Sequence, residues 1–179
     1  MVKQWRLAMP KVVIHYGWLA VVAVVAQLFV IYLDFGDAEV LRRFIFPSSY
    51  VLLLAFVALN RRHAGFLIIG AGMLLNLLAI VSNGGLMPVS PANMAEAGLS
   101  HKIEQLDLGD AIPRSKNVLL EDGDTHLRWL SDRFTWLPDG PFAVFSAGDI
   151  VIVAGLIVVL FEFLLPRAQR VSPDRTSPT

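Results

Sequence analysis

The chain has 179 residues, 55% of them hydrophobic and 17% charged, with no cysteine and a formal net charge of zero. Soluble domains carry about 25% charged residues, so a globule of this size in water would expose large apolar patches; lipid is the solvent that takes up the excess. The missing cysteines exclude disulfides, thiolate catalysis and cysteine-held metal or iron–sulfur sites, and with no basic domain nucleic acid is not an expected partner.

The first apolar run, residues 12–33, is broken only by His15, Gly17 and Gln27. It exceeds the apolar region of about 7–15 residues in a secretory signal peptide and is long enough for a hydrocarbon core of about 30 Å. We read it as an uncleaved helix, with Trp5, Trp18 and Tyr32 as interfacial anchors. The second run, 44–60, begins near Pro47, Ser48 and Ser49, where proline suits a first helical turn, with Arg42 and Arg43 snorkelling at its outer end. The third, 64–82, follows after Asn60-Arg61-Arg62-His63, so the two should form an antiparallel hairpin. Gly65 and Gly72, seven apart, lie near one face of this helix and allow another helix to approach closely.

Residues 83–148 change character. They hold five prolines and nine Asp/Glu against five Lys/Arg. Asn83-Gly84-Gly85 is a stop-and-turn signal. Ser90 as N-cap, Pro91 at the first helical position and Gly98 beyond the end frame a short helix over Pro91–Ala97. Leu127, Leu130 and Phe134 suggest a second weak helix. Phe142-Ala143-Val144-Phe145 reads as a short strand or as the descent into the bilayer. Trp129, Trp136, Phe142 and Phe145 suit a segment lying on the membrane interface over the helix ends. About 66 residues make only a marginal core alone, so this segment is expected to be a cap. The fourth helix covers 149–165, and the polar tail 166–179 is expected to be disordered. The fold class is therefore an all-α membrane protein of about four transmembrane helices, with a long extracytoplasmic segment between helices 3 and 4.

Charge orients it. With the N-terminus inside, the inner segments carry Lys3, Arg6, Lys11, Arg61, Arg62, Arg167, Arg170 and Arg175 against the single acid Asp174. This obeys the positive-inside rule and places both termini in the cytoplasm of a multi-pass protein.

Residues 83–91 (Asn-Gly-Gly-Leu-Met-Pro-Val-Ser-Pro), Ala97-Gly98-Leu99, Leu108–Pro113 and 144–150 (Val-Phe-Ser-Ala-Gly-Asp-Ile) carry a resemblance. Over roughly residues 10–165 the chain resembles an uncharacterised group of small bacterial multi-span membrane proteins, classed as a domain of unknown function. Asn83, Gly84, Gly85, Pro88, Ser90, Pro91, Ser146 and Asp149 form its motifs. The resemblance implies a bacterial plasma (inner) membrane protein and transfers no catalytic residue.

Of the polar residues, Ser146 and Asp149 have capping-box spacing, and an acid in a first turn also suits the helix dipole. The competing reading of Asp149 is cation binding or proton relay. Gln27 and Asn76, amides within spans, should bond across helices; the competing reading is a polar or quinone cavity. Glu162 should reach the interface or pair with Arg61, Arg62 or Arg167. His101, Glu104, Asp107 and Asp110, and the run Glu121–His126, carry metal-compatible groups but match no known ligand spacing. His15 and His63 lie at span ends, where haem ligation is a remote reading. No metal or cofactor is expected. The leading expectation is a non-enzymatic accessory or interaction subunit with a membrane-protein partner or a second copy of itself. The alternatives are a small transporter or lipophilic-ligand binder using Gln27, Asn76 and Asp149, and a lipid-acting enzyme using Asp110, His126 or Asp149.

Overall fold

A computed structural model describes residues 5–8, 13–32, 38–136, 144–165 and 167–170. The chain runs β1 (Trp5–Ala8), α1 (Gly17–Tyr32), α2 (Ala38–Leu59), α3 (Ala64–Ser82), β2 (Met87–Val89), α4 (Pro91–Glu96), β3 (Asn117–Leu119), β4 (Phe134–Thr135), β5 (Val144–Phe145), α5 (Ala147–Leu164) and β6 (Arg167–Arg170). Three helices are long and apolar enough to cross a membrane: Glu39–Leu59, Ala64–Ser82 and Ala147–Leu164. Helix α1 is equally apolar but has 16 residues, about 24 Å at 1.5 Å per residue. Exposed Ile150, Val153, Ile157, Leu160 and Phe161 give α5 an apolar outer face that suits lipid. The protein is an all-α membrane protein.

Several boundaries differ from the sequence reading. Helix α1 starts at Gly17, because residues 13–16 run non-helically and Tyr16 takes a positive φ of 54°. The His15 amide there donates to Asn60 Oδ1 (2.8 Å) and its carbonyl accepts from Asn60 Nδ2 (2.9 Å), tying the chain to the end of α2. Helix α2 starts at Ala38, so Pro47 lies inside the helix and not in its first turn. Proline removes the bond to the carbonyl four residues back, here that of Arg43. Gly85, at φ +94°, packs directly on that carbonyl, where any Cβ would collide. The expected helix around residues 127–134 is a single 3-10 turn, Arg128–Leu130, followed by β4. The tail, expected to lack order, supplies β6, which pairs antiparallel with β1. Residues 171–179, Phe142 and Ala143 lie outside the described residues.

Helices α3 and α5 make the closest contact in the bundle. Gly65 and Gly72 of α3 face Gly155 and Gly148 of α5, two pairs each seven residues apart on antiparallel helices. A Cβ on Gly72 would lie 2.6 Å from the Gly148 carbonyl oxygen, and one on Gly155 would lie 2.7 Å from the Ile69 amide nitrogen. Backbones meet there without intervening side chains, which is how helices associate where lipid and side chain are equally apolar. Across the bundle, Gln27 Nε2 of α1 donates to Ser49 Oγ of α2 (2.7 Å), and Ser49 passes the bond to the Phe46 carbonyl (2.6 Å).

The cap is a compact layer over one end of the bundle. Ser90 accepts from the Asn93 amide (3.2 Å) as N-cap of α4, with Pro91 at the first helical position, as its residue types dictate. Strands β2 and β3 pair in parallel, Met87 opposite Asn117. Val89, Met94, Ala97, Leu99, Ile112 and Leu119 form the cap's own small core. A second cluster joins it to the bundle: Leu86, Ala111 and Val118 pack on Val30 of α1 and Phe46 of α2. Met87 enters a third with Tyr50, Ala79 and Ile80.

A Gly148→Ala substitution should destabilise the bundle by about 1–3 kcal/mol through overpacking, read as a lower unfolding midpoint in detergent. Gly17→Ala, which meets nothing within 4 Å, should leave the midpoint within error.

Candidate functional site

The richest polar cluster lies where the cap meets α3 and α5, and Asp149 is at its centre. Ser146 and Asp149 close a complete capping box at the start of α5. The Asp149 amide donates to Ser146 Oγ (3.1 Å), and the Ser146 amide donates back to Asp149 Oδ2 (3.0 Å). The expected structural role is therefore filled, but the carboxylate does more. Asn76 Nδ2 of α3 donates to Asp149 Oδ1 (2.7 Å), while Ser146 Oγ donates to Asn76 Oδ1 (2.8 Å). Asn76 is wholly buried and so spends both ends of its amide on one partner helix. This is possible because Gly148 lets the amide lie against bare backbone.

From the cap side, Lys116 Nζ reaches Asp149 Oδ2 (3.4 Å) and Asp132 Oδ2 (3.3 Å). Asp132, 1% exposed, also accepts from Asn117 Nδ2 (2.8 Å). Its position is set by main chain: the Asp132 amide donates to the Pro88 carbonyl (3.1 Å) and its carbonyl accepts from Asn93 Nδ2 (3.2 Å). One ammonium thus bridges a cap carboxylate and a helix carboxylate. Burial works against the Lys116 charge, but Asp132 and Asp149 outweigh it and hold the pKa above the usual lysine range. Burial pushes Asp132 up, with Lys116 and Asn117 opposing. A lysine with a raised folded pKa contributes its stability below its unfolded value, about 10.4, and loses it as pH rises through the folded one. On the alkaline side the bridge therefore loosens only as the lysine is neutralised, and on the acid side it is lost as Asp132 and Asp149 take up protons, Asp132 ahead of an ordinary carboxylate because burial raises it. The Tyr50 ring of α2 completes the cluster beside Asn76.

Two arginines fix the other side of the cap. Arg42, expected to snorkel, is buried, and donates from Nη1 to the Ile112 (2.9 Å) and Ser115 (3.4 Å) carbonyls. Arg43 donates to the carbonyls of Gly84 (3.1 Å) and Gly109 (3.1 Å) and pairs with Glu39 (2.8 Å). Cap carbonyls give these guanidiniums better partners than the interface does. Asn83 donates to the carbonyls of Ala79 (2.7 Å) and His126 (2.8 Å) and accepts from the His126 amide (2.9 Å).

The other candidates are dispersed. Gln27 bonds within the α1–α2 pair, apart from the Asn76–Asp149 bond of α3 and α5. Asp110 Oδ2 accepts from the Asp107 amide (2.9 Å), closing a local turn. Among the described residues no three His, Asp or Glu side chains converge as a metal site would require. His63 stands edge-on between Phe66 and Phe163. The side chain of Arg167, one of the expected partners of Glu162, lies outside the described residues. Glu162 accepts from the Ala64 (3.0 Å) and Gly65 (3.4 Å) amides and lies 3.9 Å from His63 Nδ1. It therefore caps α3, whose His63 N-cap makes no side-chain cap bond, and the positive end of the helix dipole favours a carboxylate there. Sequence reasoning missed Lys116 and Asp132 as a pair. Their meeting depends on the β2–β3 pairing and on the bridge between Val89 and Asp132, neither of which has a local signal.

An all-α membrane bundle clamped to a folded cap is the class this geometry defines. Residues 11–161 match the model described as "Family of unknown function (DUF5317)", and the chain belongs to that family. An "Uncharacterized protein" of Thermotoga maritima is 32% identical over 127 residues, which are 69% of this chain and 65% of that protein. The chain thus spans less than two thirds of that relative's length. No solved structure matches.

Lys116→Met leaves Asp132 buried without its cation. Breaking a buried pair this way costs about 3–5 kcal/mol, and we expect the lower end because the Lys116 side chain keeps 27% exposure. Hydrogen exchange should rise at the β2 and β3 amides, and a Lys116→Met/Asp132→Leu double variant should recover most of the protection.

Proposed function

We propose that this protein is a non-enzymatic accessory subunit of a bacterial plasma membrane, with cytoplasmic termini and a cap held rigidly on the outer face for a membrane-protein partner. The observation that supports this most directly is how the bundle's polar groups are used. Asn76, Ser146, Asp149, Lys116 and Asp132 bond to one another and join cap to helices. A catalytic or transporting group needs a face turned towards substrate, whereas Asn76, Ser146 and Asp132 are buried and the bonds of all five groups are directed within the junction. The bacterial assignment draws on the Thermotoga relative, and the orientation on Arg61 and Arg62 at the α2–α3 turn.

A second reading, a lipophilic-ligand binder, is favoured by one feature. Val40, Phe44, Pro47, Val81 and Gly85 line an apolar groove of about 350 Å³ between α2 and α3 at the cap end. Filling the groove with Val81→Trp separates the readings: binding of a lipophilic ligand that survives the substitution counts against this groove as its site.

The cysteine-free chain makes topology simple to test. A thiol at exposed position 122 (Asp122→Cys) should react with an impermeant maleimide on intact cells, and one at position 62 (Arg62→Cys) only after permeabilisation. The reverse pattern overturns the orientation. In-membrane crosslinking followed by mild-detergent purification should recover a defined second polypeptide or a homo-oligomer, and a lone monomer counts against the accessory role.

A further inference from the structure

The cap carries one exposed cluster that neither the clamp nor the cap core uses. Trp129 is 64% exposed, yet its ring has two guanidiniums over it: Arg128 at 4.8 Å and Arg133 at 4.5 Å from the ring centroid. Arg133 also stands 6.0 Å over Phe134, which stacks on Phe145. Among the described residues, no carboxylate lies within ion-pair distance of Arg128 or Arg133. A guanidinium lying on a ring still presents its in-plane N–H edge, and that edge suits phosphate.

The height of the cluster is fixed by its neighbours. Leu130, next to Trp129, packs among Tyr50, Ala79, Ile80 and Met87 at the end of the bundle. The His126 main chain is bonded on both sides to Asn83, the residue that ends α3. Phe145 precedes the N-cap of α5. Trp129 and its arginines therefore sit level with the ends of two membrane spans, the depth of the headgroup layer. Amphipathic aromatics concentrate at that depth.

We propose that Trp129, Arg128 and Arg133 form a headgroup-binding platform that seats the cap on the phosphodiester layer of the adjacent leaflet. The tryptophan ring enters the interface and the two guanidiniums take lipid phosphates. This goes beyond the accessory role and does not depend on it, since the platform faces lipid whatever the cap's protein partner is.

The test uses the full chain in lipid nanodiscs of phosphatidylcholine with phosphatidylglycerol. A variant with Trp5, Trp18 and Trp136 changed to Phe leaves Trp129 as the sole tryptophan. Because an interfacial tryptophan sits at headgroup level, lipids brominated on the upper acyl chain should quench its emission, and lipids brominated near the chain end should quench far less. Adding Arg128→Gln and Arg133→Gln should weaken the shallow quenching, and free inorganic phosphate should leave it unchanged. Emission indifferent to brominated lipid but quenched by aqueous iodide overturns the proposal, as does protection from both, which would indicate a protein partner. A spin label on Leu127→Cys, with all four tryptophans kept, gives an independent depth: stronger collision with oxygen than with a water-soluble nickel chelate is expected, and the reverse overturns the proposal.

Discussion

Lys116 sits between two carboxylates that belong to different parts of the protein, Asp132 of the cap and Asp149 of α5. Remove the ammonium and two acids face each other across a partly buried junction, with Asn76 and Ser146 bonded to one of them. With it in place, every group in the junction has a partner of opposite character. The parallel β2–β3 pairing delivers Lys116 and Asn117 to this point, and the main chain around Pro88 holds Asp132 opposite. A cap too small to rely on its own core is stabilised by being an extension of the bundle.

The junction in turn presupposes the α3–α5 contact. Asn76 reaches Ser146 and Asp149 only because Gly148 offers backbone where any other residue would place a Cβ. Packing and polarity are therefore coupled. The paired glycines bring the helices together, the short distance lets one amide bond twice, and the doubly bonded carboxylate faces the cap lysine. Arg42 and Arg43 act similarly on α2, where the missing amide of Pro47 frees a carbonyl and Gly85 settles against it.

Features carried by neighbouring residues were legible in the sequence. The apolar runs, the Ser90–Pro91 cap of α4, the Ser146–Asp149 box and the close-approach face of Gly65 and Gly72 each depend on a few contiguous positions. The matching pair Gly148 and Gly155 carried the same seven-residue spacing and could have been read with them. The starts of α1 and α2 were misplaced because a side chain from elsewhere decides them: Asn60 holds His15 in non-helical chain, and cap carbonyls draw Arg42 and Arg43 into order. The partnership of Lys116 with Asp132 joins strands far apart in sequence, and no local pattern announces it. Glu162 was expected at the interface or beside Arg61, Arg62 or Arg167, and its bonds to the first amides of α3 had no local signal because they join residues about a hundred positions apart.

The bond between Glu162 and the first amides of α3 bears on how the chain is assembled. Helix α3 leaves the ribosome well before α5, and until α5 arrives its leading amides lack Glu162 while its buried Asn76 lacks Asp149. A later span thus closes both ends of an earlier one, by Glu162 at one membrane face and by Ser146 with Asp149 at the other. A nascent chain halted before residue 146 would leave the Asn76 amide of α3 without the partners that α5 supplies.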